Sequence, residues 1–135
     1  MVVLYDRFNF PDDVFEIIFA TKQQIIVGRA LIEYMKDNSG ELNKSQMSLF
    51  ATSLHDGELT ATVQDGEYKG RTVKLTYNKR QFYDRILTPF KTMGMIDYDM
   101  YKKVYTLSDK FNLDMIKIGQ MWLEELKKPA KNIFR

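Results

Sequence analysis

The sequence predicts a mainly α-helical fold with a small β component, an α+β domain over residues 1–135. Apolar residues recur at three- and four-residue steps over most of the chain, which is the period of an amphipathic helix. In two short stretches apolar and polar residues instead alternate around a turn, which is the pattern of a β-hairpin. A hydrophobic fraction of 44% and a charged fraction of 28% are typical of a globular domain with one core.

The N-terminal part predicts two helices. Residues 1–20 form an arm whose second half is a short apolar helix that begins at Asp12. Thr21 and Gln24 have the spacing of a capping box, so a new amphipathic helix is expected to begin there. The run Asp37-Asn38-Ser39-Gly40 ends this helix, since its residues favour turns.

A third helix and an inserted hairpin come next. Asn43 and Gln46 again have the spacing of a helix cap and its partner, and the helix stops at His55-Asp56-Gly57. Apolar and polar residues then alternate on both sides of Asp65-Gly66, which predicts a β-hairpin over about residues 58–77.

The following helix and hairpin are the most informative part of the chain. Asn78 and Gln81 open the helix, and its apolar side carries Phe82, Ile86, Leu87, Phe90 and Met93. Pro89 lies inside this helix and predicts a kink, because proline cannot donate a backbone hydrogen bond. Gly94 fits the left-handed position that follows a helix end. Residues 95–107 then predict a second hairpin with a polar turn.

A last helix is expected over residues 109–128, where Pro129 ends it. One seam of this helix carries Met115, Ile118, Trp122 and Leu126, and a second seam carries Leu113, Ile116 and Leu123. One apolar stripe can cover the domain's own core, whereas a helix that is apolar on two sides needs a second partner.

Basic residues concentrate in two places. Residues 69–103 hold nine Lys/Arg against three Asp/Glu, and residues 127–135 hold four basic residues and no acid, in a chain whose net charge is only +2. A basic block beside an acidic remainder is typical of a protein that binds a polyanion. Two ordinary solvated basic faces would give the same charge pattern.

The stretch from Asn78 resembles the third helix and wing of winged-helix transcription regulators, of the MarR-like and ArsR-like type. The matching positions are an apolar helix end, a glycine, two apolar residues and a Tyr-x-Leu-Ser strand, here Phe90, Gly94, Met95, Ile96, Tyr105, Leu107 and Ser108. The resemblance covers about residues 21–126. It implies a winged helix-turn-helix core over residues 21–107, with additional terminal helices and with the hairpin at 58–77 as an insertion.

The resemblance implies sequence-specific binding of double-stranded DNA by a transcription regulator. A helix fits the major groove, and its cations can donate to guanine O6 and N7. The residues expected to contact DNA lie at the start of the helix that follows Asn43, on the helix that follows Asn78 and on the wing, namely Lys44, Ser45, Lys79, Arg80, Gln81, Tyr83, Arg85, Thr88, Tyr101, Lys102 and Lys103. Asp97 and Asp99 are expected to weaken the contribution of the wing. The inserted hairpin could reach DNA through Lys69, Arg71 and Lys74, but simple packing on the core is the favoured interpretation.

Regulators of this type dimerise through their terminal helices, so the resemblance also implies a homodimer. The expected interface residues are Phe15, Phe19, Met115, Ile118, Trp122 and Leu126. Alternatively, the two terminal helices cover each other within one monomer.

Enzymatic chemistry has little support in the sequence. The chain has no cysteine and a single histidine, His55, which is expected in a surface turn. No phosphate-binding loop, nucleophile set or metal-ligand spacing is present. We therefore expect no catalysis, no cofactor and no metal, and we identify no small-molecule effector. Without an apolar run long enough to span a bilayer, and without a signal peptide, the chain is expected in the cytoplasm with the nucleoid.

Two alternatives to a DNA-binding regulator stay open. The chain could be a winged-helix module that binds other proteins in a transcription or replication assembly, through its apolar terminal helices. It could also be a plasmid- or virus-encoded DNA-binding protein, which the chemistry of the residues does not separate from a chromosomal regulator.

Overall fold

The computed structural model describes residues 5–62 and 70–134. The described helices are α1 (Val14–Ile18), α2 (Lys22–Asp37), α3 (Lys44–His55), α4 (Lys79–Gln81), a π-helical segment (Phe82–Leu87), α5 (Thr88–Thr92) and α6 (Lys110–Lys127). The strands are β1 (Glu41–Asn43), β2 (Leu59–Thr62), β3 (Thr72–Leu75), β4 (Ile96–Asp99) and β5 (Val104–Leu107). The predicted mixture of helices with a small β component is confirmed. We refer to the continuous α4, π-helical and α5 run, residues 79–92, as the composite helix.

The caps confirm the helix starts predicted at Thr21, Asn43 and Asn78, whereas the first helix begins at Val14 and not at Asp12. Asp13, Thr21, Asn43 and Asn78 each accept a backbone N–H in the first turn of the helix that follows. At α3 the cap is reciprocal, because Gln46 also accepts the backbone N–H of Asn43, at 2.8 Å. Such a cap satisfies N–H groups that have no partner inside the helix and contributes about 1 kcal/mol.

The helix ends follow the turn residues as predicted. After the composite helix, the N–H of Gly94 donates to the carbonyl of Lys91 and the N–H of Met95 donates to that of Phe90. Gly94 has φ +80°, the left-handed conformation that this end requires. A β-carbon there would lie 3.0 Å from the backbone nitrogen of Phe111, so glycine also allows the start of α6 to approach.

A three-stranded antiparallel sheet has the order β1-β5-β4. The predicted second hairpin is confirmed, with Ile96 opposite Leu107 and Asp99 opposite Val104. The sequence did not predict β1, which ends at Asn43, the predicted cap of the following helix. Three residues are too few to show an alternating pattern, and pairing with β5 makes this segment a strand.

The inserted hairpin is confirmed where it is described. Leu59 pairs with Leu75 and Ala61 pairs with Val73, and this apolar face is turned toward the core. Thr60, Thr62, Thr72 and Lys74 alternate with them and are exposed. The base of the hairpin therefore packs on the core, which was the favoured interpretation. The turn at Asp65-Gly66, together with Val63 and Lys69, lies outside the described residues.

The core is aromatic at its centre. Phe82 packs against Phe50, and Phe90 packs edge-on against both Phe15 and Phe19. Four of the five apolar residues predicted for the composite helix are buried, and Met93 is only partly buried. Apart from Tyr77 and Tyr105, no side chain with a polar group is buried among the described residues, so apolar contacts hold this core together.

Pro89 distorts the composite helix as predicted, but one turn earlier than the proline itself. The π-helical segment Phe82–Leu87 precedes it, and the N–H and hydroxyl of Thr88 both donate to the carbonyl of Tyr83. In a regular α-helix the proline ring would clash with the carbonyl four residues earlier. The wider π turn accommodates the ring while Ile86 and Leu87 stay buried.

Helix α6 does not cover the core. This corrects the expectation that one of its apolar stripes packs on the domain, and also the alternative that the two terminal helices cover each other. Residues 112–127 are all exposed, so neither apolar seam packs on the domain. The terminal helices do not cover each other either, because Phe15 and Phe19 contact Phe90 instead. Phe19, which was expected at a dimer interface, is 3% exposed and packs on Phe90, so its side chain belongs to the core. None of the described helices has the length and apolarity that a membrane span requires.

Candidate nucleic-acid interface

A basic cleft lies between the start of α3 and the β4–β5 turn. It is an open cleft of about 480 Å³ lined by Asn43, Lys44, Ser45, Ser48, Lys102 and Lys103. The structure thus brings together four of the predicted DNA-contact residues, Lys44, Ser45, Lys102 and Lys103, from two elements distant in sequence. None of the described carboxylates forms an ion pair with these three lysines. The cleft therefore offers positive charge and hydroxyl groups to an anion.

Backbone contacts hold the turn against α3. The N–H of Lys44 donates to the carbonyl of Lys103 at 3.1 Å, and the N–H of Lys103 donates to the carbonyl of Asp99 at 2.7 Å. Lys103 has φ +56°, a left-handed conformation that most residues other than glycine avoid. The position of the cationic turn relative to α3 is therefore fixed by the fold.

The two acids of the second hairpin have structural partners. Oδ1 of Asp99 accepts the N–H groups of Tyr101 and Lys102, at 2.9 and 3.1 Å, and these bonds lower the pKa of Asp99 below its ordinary 3.8. Asp97 accepts from Nζ of Lys110 at 2.7 Å, and this contact raises the pKa of Lys110. Asp99 thus shapes the basic turn, and the charge of Asp97 is balanced locally.

A polar seam joins the cleft to the composite helix. Nζ of Lys79 donates to the hydroxyls of Thr52 and Ser48, at 2.9 and 3.4 Å. Partial burial raises the pKa of Tyr83, whose phenol lies near Ser48. Sequence reasoning missed Ser48, although its position four residues after Lys44 places it on the same face of α3.

These contacts change the predicted role of two residues. Lys79 and Tyr83 were expected at the bases, but both side chains are half-buried and lean against α3. The single histidine stabilises the start of the composite helix, because Nδ1 of His55 accepts the backbone N–H of Lys79 at 3.1 Å. His55 is exposed at the end of α3, as predicted.

The outward face of the composite helix carries the other predicted residues. Arg80, Gln81, Arg85 and Thr88 are exposed, and the Arg80 side chain retains 92% of its accessible surface. The Thr88 hydroxyl is already used by the carbonyl of Tyr83. Tyr101, at the tip of the β4–β5 turn, is almost fully exposed.

The positive charges in the first turn of the composite helix are unfavourable for the stability of that helix. Its first turn contains Lys79 and Arg80 and no acid. A helix N-terminus carries partial positive charge, so cations there are unfavourable by a few tenths of a kcal/mol each. Residues placed against local stability are typical of functional surfaces.

Helix α6 presents a second exposed surface of different chemistry. At 100° per residue, Phe111, Met115, Ile116, Ile118, Gly119, Trp122, Leu123 and Leu126 share an arc of about 160°. Met121 and the charged residues of the helix, with Leu113, lie outside this arc. Trp122 is 63% exposed. The predicted residues Met115, Ile118, Trp122 and Leu126 therefore do share one face, which no described element covers.

The described residues contain no group of His, Asp and Glu side chains that could hold a metal ion. No known protein family matches the chain, and comparison with curated proteins and with solved structures finds no relative.

Proposed function

We propose that this chain is a winged-helix protein that binds double-stranded DNA as a homodimer and acts as a transcription regulator. The topology supports the winged-helix assignment. Helices α2, α3 and the composite helix are followed by the β4–β5 hairpin, and β1 completes a sheet with the order β1-β5-β4. In this arrangement the composite helix is the recognition helix and β4–β5 is the wing.

The observation that carries the proposal is the set of cations that the fold gathers from α3 and the wing. Lys44 of α3 and Lys102 and Lys103 of the wing line one cleft, and Ser48 links this cleft to the recognition helix. Phosphate contacts from a helix start and a wing would fix the protein on the duplex, and the exposed face of the recognition helix would then enter the major groove.

The exposed face of α6 supports the homodimer. A protein binding a two-fold symmetric site needs two recognition helices about one DNA turn apart. Pairing of α6 with the same helix of a second copy would cover Trp122 and its apolar neighbours and would supply that symmetry.

Charge reversal tests DNA binding. Arg80→Glu and Lys103→Glu should each weaken binding to a duplex at low salt by roughly ten-fold or more, because each replaces an attraction with a repulsion. Lys117→Glu, on the polar side of α6, makes the same change in net charge and should have little effect. Equal losses in all three variants would contradict the proposed interface.

A second candidate function rests on α6 alone. A fully exposed apolar helix is also what a protein–protein interaction module presents, in a transcription or replication assembly. On that alternative, Arg80→Glu and Lys103→Glu change no measured activity, and substitutions in the apolar arc of α6 abolish binding to a different protein.

A further inference from the structure

Asp84 is the only acidic residue of the composite helix, and it lies on the exposed face. The same helix carries Lys79, Arg80, Arg85 and Lys91. The Asp84 side chain retains 68% of its accessible surface. A carboxylate on a surface that approaches phosphates weakens binding through like-charge repulsion. An acid at this position therefore opposes the basic character of its own helix.

The carboxylate of Asp84 lies beside the inner nitrogen of Arg80. Oδ2 of Asp84 is 4.0 Å from Nε of Arg80, one helical turn earlier. The two terminal guanidinium nitrogens are left for another partner. A bidentate contact with guanine O6 and N7 uses two parallel guanidinium N–H groups, so a carboxylate at Nε orients the arginine without occupying them.

This pair adds little to the stability of the helix. Exposed ion pairs at i,i+4 contribute about 0.3–0.5 kcal/mol, and a base that precedes its acid is the less favourable order. The attraction between the two charges favours those rotamers of Arg80 that keep its Nε near the carboxylate of Asp84. An arginine that is already oriented loses less conformational freedom when it binds.

We propose that Asp84 is a positioning residue that orients Arg80 toward a guanine in the major groove. This inference rests on the proposed DNA binding. Asp84 lowers the affinity for any duplex through its charge and raises the discrimination between bases through Arg80. Removing the charge should therefore shift the two quantities in opposite directions, which loss of a merely structural residue would not do.

Duplexes selected from a random pool by the unchanged protein provide the probe. Replacing each guanine in turn with 7-deazaguanine removes the N7 acceptor, and at one position this should weaken binding by roughly ten-fold. Asp84→Asn should reduce that loss to about three-fold or less and should bind a scrambled duplex more tightly than the unchanged protein does. Arg80→Lys should also lose the discrimination, because lysine lacks the planar pair of donors.

Glu33→Gln is the matched control. Glu33 is an exposed acid in an i,i+3 pair with Lys36 on α2, so this variant makes the same charge change away from the recognition helix. It should leave the guanine discrimination intact. If no duplex is bound at low salt, the proposed function itself fails. If duplexes are bound and Asp84→Asn keeps full guanine discrimination, or weakens binding to both duplexes equally, the role of Asp84 is wrong and DNA binding stands.

Discussion

Close packing around Gly28 fixes α2 against the composite helix. A β-carbon at Gly28 would lie 2.5 Å from Cε2 of Phe19 and 3.2 Å from Cζ of Phe90. The two rings are themselves in edge-on contact, with centroids 5.1 Å apart. A methyl group at Gly28 would therefore have to displace the ring of Phe19, which packs on Phe90.

Replacing Gly28 with alanine should destabilise the protein despite alanine's better helix propensity. We expect the free energy of unfolding to fall by about 1–3 kcal/mol, because the added methyl group overpacks the core. Denaturant unfolding measures the change. A double variant with Phe19→Leu, which opens space, should lose less than the sum of the two single variants. A rise in stability for Gly28→Ala would contradict the packing described.

The buried Tyr105 predicts a loss of stability at alkaline pH. Burial is the main cause that raises the pKa of Tyr105, with the neighbouring Tyr98 and Tyr83 adding to it. The neutral phenol is therefore favoured in the folded state. The contribution of Tyr105 to the free energy of unfolding is fully present below the ordinary tyrosine pKa of about 10. It is lost as the pH rises through the raised pKa of the folded state.

Free energies of unfolding measured between about pH 8 and pH 11 test whether stability falls as the pH rises. Tyr105→Phe should reduce the alkaline loss of stability. Tyr101→Phe should not, because Tyr101 is 99% exposed. The same alkaline slope in both variants would show that Tyr105 is not responsible.

At the scale of elements, short helices depend on their caps. The α3 start is held by the reciprocal Asn43–Gln46 bonds, and Asn43 also borders the basic cleft. The cap therefore stabilises α3 and also places Lys44 and Ser45 opposite the wing.

Asn43→Ala should lower the unfolding free energy by about 1 kcal/mol, because the first turn of α3 loses its side-chain acceptor. Asn43→Ser keeps an acceptor and should lose less. Thermal or denaturant unfolding of the two variants checks the difference. Equal stability of the alanine variant and the unchanged protein would mean that the cap contributes nothing.

How well the sequence predicts an element depends on how local its signal is. The helix starts at Thr21, Asn43 and Asn78 and the left-handed Gly94 were predictable, because caps and turns depend on a few neighbouring residues. Strand β1 was not, since its formation depends on pairing with a strand more than 60 residues later. The π-helical segment was foreseen only as a kink at Pro89.

The candidate site was predictable in composition and less so in geometry. The sequence identified the lysines of the cleft, because charge is visible without coordinates. It did not show that Lys79 leans on Ser48 and Thr52, since that contact depends on how α3 and the composite helix cross. Asp84 was overlooked among the cations, although its spacing from Arg80 is a recognisable i,i+4 pair.

At the scale of the whole molecule, the described elements leave the apolar arc of α6 uncovered. Its apolar arc is wider than the narrow seam of a two-stranded coiled coil. Phe8, Phe10, Ile133 and Phe134 add further exposed apolar surface near the two ends of the described chain. Exposed apolar surface of this kind marks an interaction site.

Trp122→Glu should make the protein monomeric, because it places a charge within the apolar arc. Met121→Glu is the matched control, since Met121 is exposed to a similar extent, 58% against 63%, but lies outside the arc. Sedimentation of both variants over a range of concentrations measures the outcome. A monomeric unchanged protein, or dimers formed by the Trp122 variant, would contradict self-association through α6.

The affinity for duplex DNA as a function of salt concentration tests the central claim most directly. The logarithm of the binding constant should fall linearly with the logarithm of the salt concentration, with a slope of about −0.9 for each phosphate contacted. Lys44→Glu and Lys103→Glu should make this slope shallower, and Lys117→Glu should leave it unchanged. Absence of duplex binding at low salt, or a slope that neither cleft variant alters, would contradict the account.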